Sequence, residues 1–318
     1  MSEKNLKSLR FHGLDDIYKI PSTAEDVGAA TLEEVSSAKT SAVNESKTYT
    51  NAQVKKAAPR NLLDNSDFRN PVNQRGQQNY TGSGDRDVYT IDRWYFGWQG
   101  GATLTVSPDG YIQKSAHEFT QAIENVDLTK TYTGAICLKD GTKYVYSGKV
   151  DNGFGDWGNT IWVWTNNGRI YFGIHSGITQ PIAWAALYEG EYTIDTLPEY
   201  QSKGYAVELA ECQRYFRRFT ASNMPTTIYR AGSENPIIFT CLFFMGVGMR
   251  TSPTVTLEAA PSKIRYGGKE KTLADVSFYD LLVVSENLCA IRLTTPTALE
   301  HGYVGYLTTF TVSLDADI

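Results

Sequence analysis

The chain reads as a mainly β protein: a short N-terminal α-helical coiled-coil stalk, then two β-sandwich modules of jelly-roll type, the second carrying one helix. Three observations predict this. Aromatic residues make up 12% of the 318 residues, and Tyr, Phe and Trp suit pleated, half-buried surfaces. From Asn61 onward turn signals recur between short alternating runs, the pattern of a sandwich or jelly roll. Ahead of them, Thr31 to Ala57 contains neither Gly nor Pro and is rich in Ala, Ser, Lys and Glu.

The elements follow in chain order. Residues 1–30 form a small attachment segment. Leu9, Phe11, Leu14, Ile17, Tyr18 and Ile20 give it apolar content, but it is too short for a core of its own. Residues 31–58 form the stalk. Thr31 and Glu34 fit a capping box at a helix start. Val35, Ala42 and Tyr49 lie seven apart, as do Ala38, Glu45 and Ala52, which suggests a weak coiled-coil seam. A lone helix this polar is marginal in water, so it is expected as one member of a bundle; a flexible linker is the competing reading. Pro59 ends it.

Residues 59–200 form the first sandwich. Asp109-Gly110 and Asp140-Gly141 are hairpin turns in which Gly accepts positive φ. Ala102–Val106, Tyr144–Val150, Ile161–Thr165 and Arg169–Ile174 are strands. Residues 201–318 form the second. It opens with a helix from Tyr205 to Phe216, with Leu209, Cys212 and Phe216 on one stripe. Strands then return at Ile237–Phe244, Thr254–Leu257, Phe278–Val284, Ala290–Thr294 and Tyr303–Leu314.

Composition narrows the function classes. The net charge is −5, with no basic block, which argues against nucleic acid and against an anionic membrane. No apolar run reaches transmembrane length, and the N-terminus carries no apolar core of a secretory signal. Cys137, Cys212, Cys241 and Cys289 are widely spaced and read as reduced, buried thiols. His12, His117, His175 and His301 show no metal-ligand spacing. No nucleophile elbow is present, and Gly246-Val247-Gly248 is only a fragment of a nucleotide fingerprint. The reading is therefore no catalytic residue, no metal and no cofactor.

Three clusters of residues stand out. Asn61 to Gly76 reads NLLDNSDFRNPVNQRG, followed by YTIDRWY at Tyr89 to Tyr95. Within it Trp94 is expected in the core, with Arg93 pairing across the sheet. Ala183 to Tyr192 reads AWAALYEGEY, with Trp184 also expected in the core. Lys203-Gly204-Tyr205 and Glu208 to Phe216 (ELAECQRYF) complete the set.

In this order these segments resemble the heads of bacteriophage and phage-derived tail-fibre and receptor-binding proteins. The likeness covers roughly Asn61 to Phe219 and extends more loosely through Met249–Val255. It implies a carbohydrate-binding-module-like first sandwich, a homotrimer, attachment to a baseplate or fibre shaft through residues 1–30, and a place at the tail tip of a virion or tail particle, after synthesis in the host cytoplasm. The partner it implies is a bacterial surface polysaccharide, with no nucleic acid and no membrane insertion. A structural collar, whisker or decoration fibre without its own receptor, or a glycan hydrolase, are the competing functions.

Sugars offer an apolar face ringed by hydroxyls, so a site needs aromatic platforms flanked by polar side chains. The segment Asp151–Asn159 is the best local candidate. Its glycines keep it in a loop, which would present Phe154 and Trp157 to solvent, while Asn152, Asp156 and Asn159 supply polar groups. Trp162 and Trp164 share one face of the next strand, opposite Ile161 and Val163, either as further platforms or buried in the sandwich or a subunit interface.

Overall fold

A computed structural model of the chain describes residues 8–9, 18–19, 30–56, 59–230, 237–245, 248–285, 288–297, 299 and 303–316. It divides into two units, Met1–Ala58 and Pro59–Ile318. Most of the attachment segment expected over 1–30 lies outside the described residues. Within it, β1 (Ser8–Leu9) and β2 (Tyr18–Lys19) pair antiparallel, Ser8 opposite Lys19.

The smaller unit also holds α1 (Leu32–Lys56). Its start is the expected capping box. The backbone N–H of Glu34 donates to Thr31 Oγ1 at 3.2 Å, and the backbone N–H of Thr31 donates to Glu34 Oε2 at 2.7 Å. These bonds hold the Glu34 carboxyl below its usual range. Every described side chain of the helix is exposed in the single chain, Val35 and Tyr49 included.

The larger unit is mainly antiparallel β. Its first part contains β3 (Asn79–Thr81), β4 (Val88–Tyr89), β5 (Tyr95–Phe96), β6 (Thr103–Val106), β7 (Ile112–Lys114), β8 (Phe119–Ile123), β9 (Thr131–Leu138) and β10 (Lys143–Lys149). It continues with β11 (Phe154–Gly155), β12 (Ile161–Asn166), β13 (Arg169–Ile174) and β14 (Ile182–Glu189). These strands make two six-stranded sheets, ordered β10-β9-β14-β7-β6-β3 and β11-β12-β13-β8-β5-β4.

Both sheets contribute to one apolar core, with Leu104, Ile136 and Leu187 from the first and Phe119, Val163 and Phe172 from the second. The sheets approach closely at Gly134, where a Cβ would lie 3.0 Å from Val163 Cγ2. Trp94 is fully buried at the centre, stacked on Phe119 with ring centroids 5.1 Å apart and edge-on to Phe68. The Asn167-Gly168 turn joins β12 to β13 with both residues at positive φ, the backbone of a tight hairpin.

After α2 (Tyr205–Cys212) come β15 (Phe216–Ala221), β16 (Met224–Arg230), β17 (Ile237–Phe244), β18 (Thr254–Ala259), β19 (Lys263–Tyr266), β20 (Lys269–Thr272), β21 (Ser277–Ser285), β22 (Leu288–Thr295), β23 (Val304–Leu307) and β24 (Phe310–Asp315). They form a three-stranded sheet, β15-β24-β18, and a seven-stranded sheet, β20-β19-β23-β16-β17-β22-β21. A second core joins them through Phe239, Ile291, Phe310 and Leu314.

Three expectations of the fold need correction, the first being the strand Tyr303–Leu314, which is two strands, β23 and β24, in different sheets. The helix at Tyr205 stops at Cys212, and Phe216 opens a strand instead. Its backbone pairs with Asp315 of β24, and its ring lies 3.8 Å beneath the Arg75 guanidinium; these contacts outweigh the helical period. Arg93 does not pair across a sheet either. It occupies the turn before β5 at φ +73, reaching Asp64 at 3.3 Å and stacking 3.5 Å over Tyr215.

The sequence segment 61–76 is the joint of this unit. The Asn65 side-chain amide donates to the carbonyls of Val72 and Asp92 and accepts from the Val72 N–H, and its backbone N–H donates to Glu208 of α2 at 2.5 Å. Asp92, buried, receives Arg75 at 3.1 Å, and Arg75 reaches Asp315 at 3.4 Å. Lys203 bridges Asp64 at 3.2 Å and Glu211 at 2.6 Å. Burial opposes ionisation of Asp64, but Arg93 and Lys203 outweigh it and hold its carboxyl low.

Replacing Asn65 by Ala removes its side-chain hydrogen bonds to the buried backbone of Val72 and Asp92 and places a non-Asn residue at φ +50. Asn65→Ala is expected to lower stability by on the order of 3 kcal/mol, read as a shift of the urea midpoint.

Candidate functional site

The two sheets of the first core differ in what covers their outer faces. Outside β9 and β14, Ala135, Ala183, Trp184 and Tyr188 form a second apolar layer beneath the chain that follows β14. Trp184 stacks on Tyr200 at 4.8 Å between centroids, nearly parallel, so Trp184 is buried, as expected. The other sheet keeps a row of aromatic side chains on its outer face.

Strand β12 builds that row. Its alternation buries Ile161 and Val163 and turns Trp162 and Trp164 outward, each half-buried. Trp164 stacks on Tyr171 of β13 at 5.3 Å and 17°, its directly opposite cross-strand neighbour. Trp162 faces Gly173 across the same pair, which puts no side chain of its own on that face.

The loop before β12 adds Trp157, 63% exposed. Its ring stands at 85° to Trp162 with centroids 5.6 Å apart, and its centroid is 4.7 Å from the His175 ring. The loop is shaped by its own polar groups. Asp156 accepts at its carbonyl from the N–H groups of Asn159 and Thr160, and its Oδ1 accepts from Asn159 Nδ2 at 2.8 Å. Gly153 packs directly on Trp162: at φ +69 its Cβ would lie 2.5 Å from Trp162 Cζ2. Gly153 therefore fastens the loop to the aromatic row, and Asn152 stands exposed beside it.

Phe154 is a correction. It belongs to β11, is 8% exposed and joins the interior core, against the backbone of Gly148. The glycines around it bend the chain, but two strand residues point its ring inward. Among the proposed residues, the fold brings Trp157, Trp162, Asp156 and Asn159 together at one end of the row, places Trp164 at its middle, sets Asn152 at the loop tip and removes Phe154.

The structure adds residues that sequence reasoning passed over. Glu118, just ahead of β8, lays its carboxylate over Gly173. A Cβ there would meet Glu118 Oε1 at 2.8 Å and Trp164 Cζ3 at 3.0 Å. Thr120 Oγ1 donates to Glu118 Oε1 at 2.9 Å, and Glu118 Oε2 is 4.0 Å from His175 Nε2. Burial pushes the Glu118 carboxyl up, against the pull of Thr120 and Lys114.

Lys114 is buried and gives its ammonium to the carbonyls of Ser115, His117 and His175. Burial brings it down to about 7. His175 is 4% exposed, its Nε2 has no hydrogen-bond partner, and burial with the nearby Lys114 charge depresses it to about 4.

Trp98 also went unnoticed. It is 72% exposed and sits at φ +44. The next residue, Gln99, holds its loop to the Glu118 backbone by two bonds, Gln99 Nε2 to the Glu118 carbonyl and the Glu118 N–H to Gln99 Oε1. A bulky residue in left-handed backbone costs about 1–2 kcal/mol. The one legible signal was Gly97-Trp98-Gln99-Gly100-Gly101, a Trp set in glycines like that at Trp157.

Among the described residues, no group of three His, Cys, Asp or Glu side chains is placed to hold a metal ion, and no helix is long and apolar enough to cross a membrane. All four cysteines are free and buried. A concavity beside β3 and β15 has two arginines in its wall, both committed: Arg75 to Asp92 and Asp315, Arg218 to Glu258 at 2.7 Å. A scan of protein-family models matches no part of the chain, and no curated protein and no solved structure matches it.

Two outcomes follow from the geometry. Trp157→Ala removes an exposed ring and is expected to leave stability within about 0.5 kcal/mol of the parent, by urea unfolding. Burial depresses the folded pKa of His175 to about 4, from the ordinary imidazole value of 6.5. The unfolded chain therefore takes up this proton first, so this contribution to stability is complete above the unfolded value and is lost as pH falls from 6.5 towards 4. His175→Gln is expected to flatten the fall in melting temperature across that window, seen in calorimetric scans at stepped pH.

Proposed function

We propose that the protein is a receptor-binding tail-fibre protein of a bacteriophage or phage-derived tail particle, and that it binds a bacterial surface glycan. The observation that carries this reading is the uncovered outer face of the β11-to-β4 sheet. There Trp157, Trp162 and Trp164 present aromatic surface, flanked by Asp156, Asn159 and Glu118. Ring faces stack on the apolar side of a sugar, and fixed carboxylates and amides take its hydroxyls. A set of rings on one rigid strand suits an extended polymer.

The remaining parts follow the same reading. Residues 1–30 attach the chain to a baseplate or fibre shaft. Residues 31–58 form a three-stranded coiled-coil stalk, which accounts for a 25-residue helix with exposed Val35, Val43 and Tyr49. Residues 59–200 and 201–318 are two jelly-roll-like β-sandwich head domains. Three copies on one stalk raise avidity, since later binding events become intramolecular. The protein acts at the tail tip, without enzymatic activity and without a cofactor.

Light scattering is expected to give about three times the 35.4 kDa chain mass; a monomer removes the stalk. Host-cell and glycan-array binding by the full chain is expected to fall at least about tenfold in Trp157→Ala, with melting unchanged. A chain that binds no host surface but holds a tail protein through residues 1–30 is a decoration fibre. Release of reducing sugar from host polysaccharide makes it a hydrolase.

A further inference from the structure

The chemistry of the aromatic row narrows the glycan it suits; the step rests on the glycan-binding reading above. Glu118 is the carboxylate at the centre of the row. Its Oε1 and the Trp164 ring lie over the same α-carbon, that of Gly173, which is itself the cross-strand partner of Trp162. A group held at Glu118 therefore lies beside the Trp164 ring, on the strand face that Trp162 shares.

The surrounding charges are mostly acidic or already committed. Asp156 lies at the Trp157 end. Lys114, the nearest cation, is turned inward onto three backbone carbonyls. Arg169, beyond Tyr171, is paired with Glu124 at 2.9 Å. Neither of these cations is thus offered to an anionic sugar.

His175 supplies the second, independent observation. Its side chain is 94% buried at 6% relative exposure, and its Nε2 has no hydrogen-bond partner while standing 4.0 Å from Glu118 Oε2. Burial keeps the ring neutral near pH 7, so the imidazole beside Glu118 does not supply it with a counter-charge. A carboxylate without an imidazolium partner, beside an indole ring, makes the environment of a protonated amine, which donates several hydrogen bonds and is drawn to ring faces.

We propose that this face selects glycans bearing free primary amines, with Glu118 as the counter-charge and Trp162 and Trp164 as the flanking platforms. N-acetylation removes the charge and two of the donors, and anionic sugars meet Glu118 and Asp156 as like charges. Burial raises the cost of ionising Glu118, and a bound ammonium offsets that cost, so the preference resides in this residue.

The test uses the full chain and two probes: the β-1,4-linked hexamer of glucosamine and its fully N-acetylated counterpart, titrated calorimetrically near pH 6. The glucosamine hexamer is expected to bind about tenfold tighter, the size of one half-buried charge-assisted contact. Its affinity should fall with added salt while that of the N-acetylated hexamer holds. Glu118→Gln keeps an acceptor for Thr120 and should erase the difference between the two hexamers, whereas Trp157→Ala should weaken both and leave their ratio in place.

Equal affinities in the parent, or a preference that survives Glu118→Gln, overturn the proposal. Should that variant fold poorly, the salt dependence of the parent decides: an amine preference insensitive to salt overturns it as well. If neither hexamer binds while host cells are still bound, amine selection fails and the adhesion reading stands. If neither hexamers nor cells are bound, both fail.

Discussion

The larger unit depends on how three carboxylates are buried where its two cores meet. Glu208 and Asp92 are almost inaccessible and Asp64 is largely covered. A buried carboxylate is costly without partners, and breaking such a pair costs more than forming it contributes. Each of these has partners drawn from distant parts of the chain. Asp92 takes Arg75 and the amide of Gln74. Asp64 takes Arg93 and Lys203. Glu208 takes the Asn65 backbone N–H. The same arginines lie against Phe216 and Tyr215, so charge pairing and apolar burial fix one arrangement. The segment 61–76 is thus architectural: it ties the strands of the first core to α2 and β15.

With those strands fixed, the sites open to a ligand are the places the joint leaves alone. One sheet of the first core is covered on its outer face by the chain after β14, where Trp184 and Tyr200 stack. The other carries Trp157, Trp162 and Trp164 with no equivalent covering among the described residues. Glycines make this possible by absence. Gly173 leaves room for Glu118 and the Trp164 ring, and Gly153 lets the loop backbone lie on Trp162. A methyl group at either position displaces a ring of the row.

Much of the fold was legible because its signals are local. The capping box at Thr31 and Glu34, the Asp140-Gly141 hairpin, and the strands Arg169–Ile174 and Ile237–Phe244 rest on neighbours in sequence, and the strands appear with the expected bounds. Trp162 and Trp164 were placed on one face by the two-residue period alone. What failed was decided at long range. Phe216 left its helical stripe because Asp315 and Arg75 claim it. Arg93 entered a turn because Asp64 lies there. Phe154 turned inward because β11 pairs with β12. Glu118 and His175, 57 positions apart in sequence, carry no local mark of their proximity.

By itself, then, the sequence determined a mainly β chain with a capped polar helix before it, which strands alternate, and which residues turn the chain, since propensity, capping and period act over a few neighbours. Only the tertiary structure decided which aromatic residues remain at the surface, because burial depends on which sheet face another segment comes to cover. It also decided that Glu118 and Trp164 meet over Gly173, because a cross-strand register, unlike a period, is set by the pairing of distant segments.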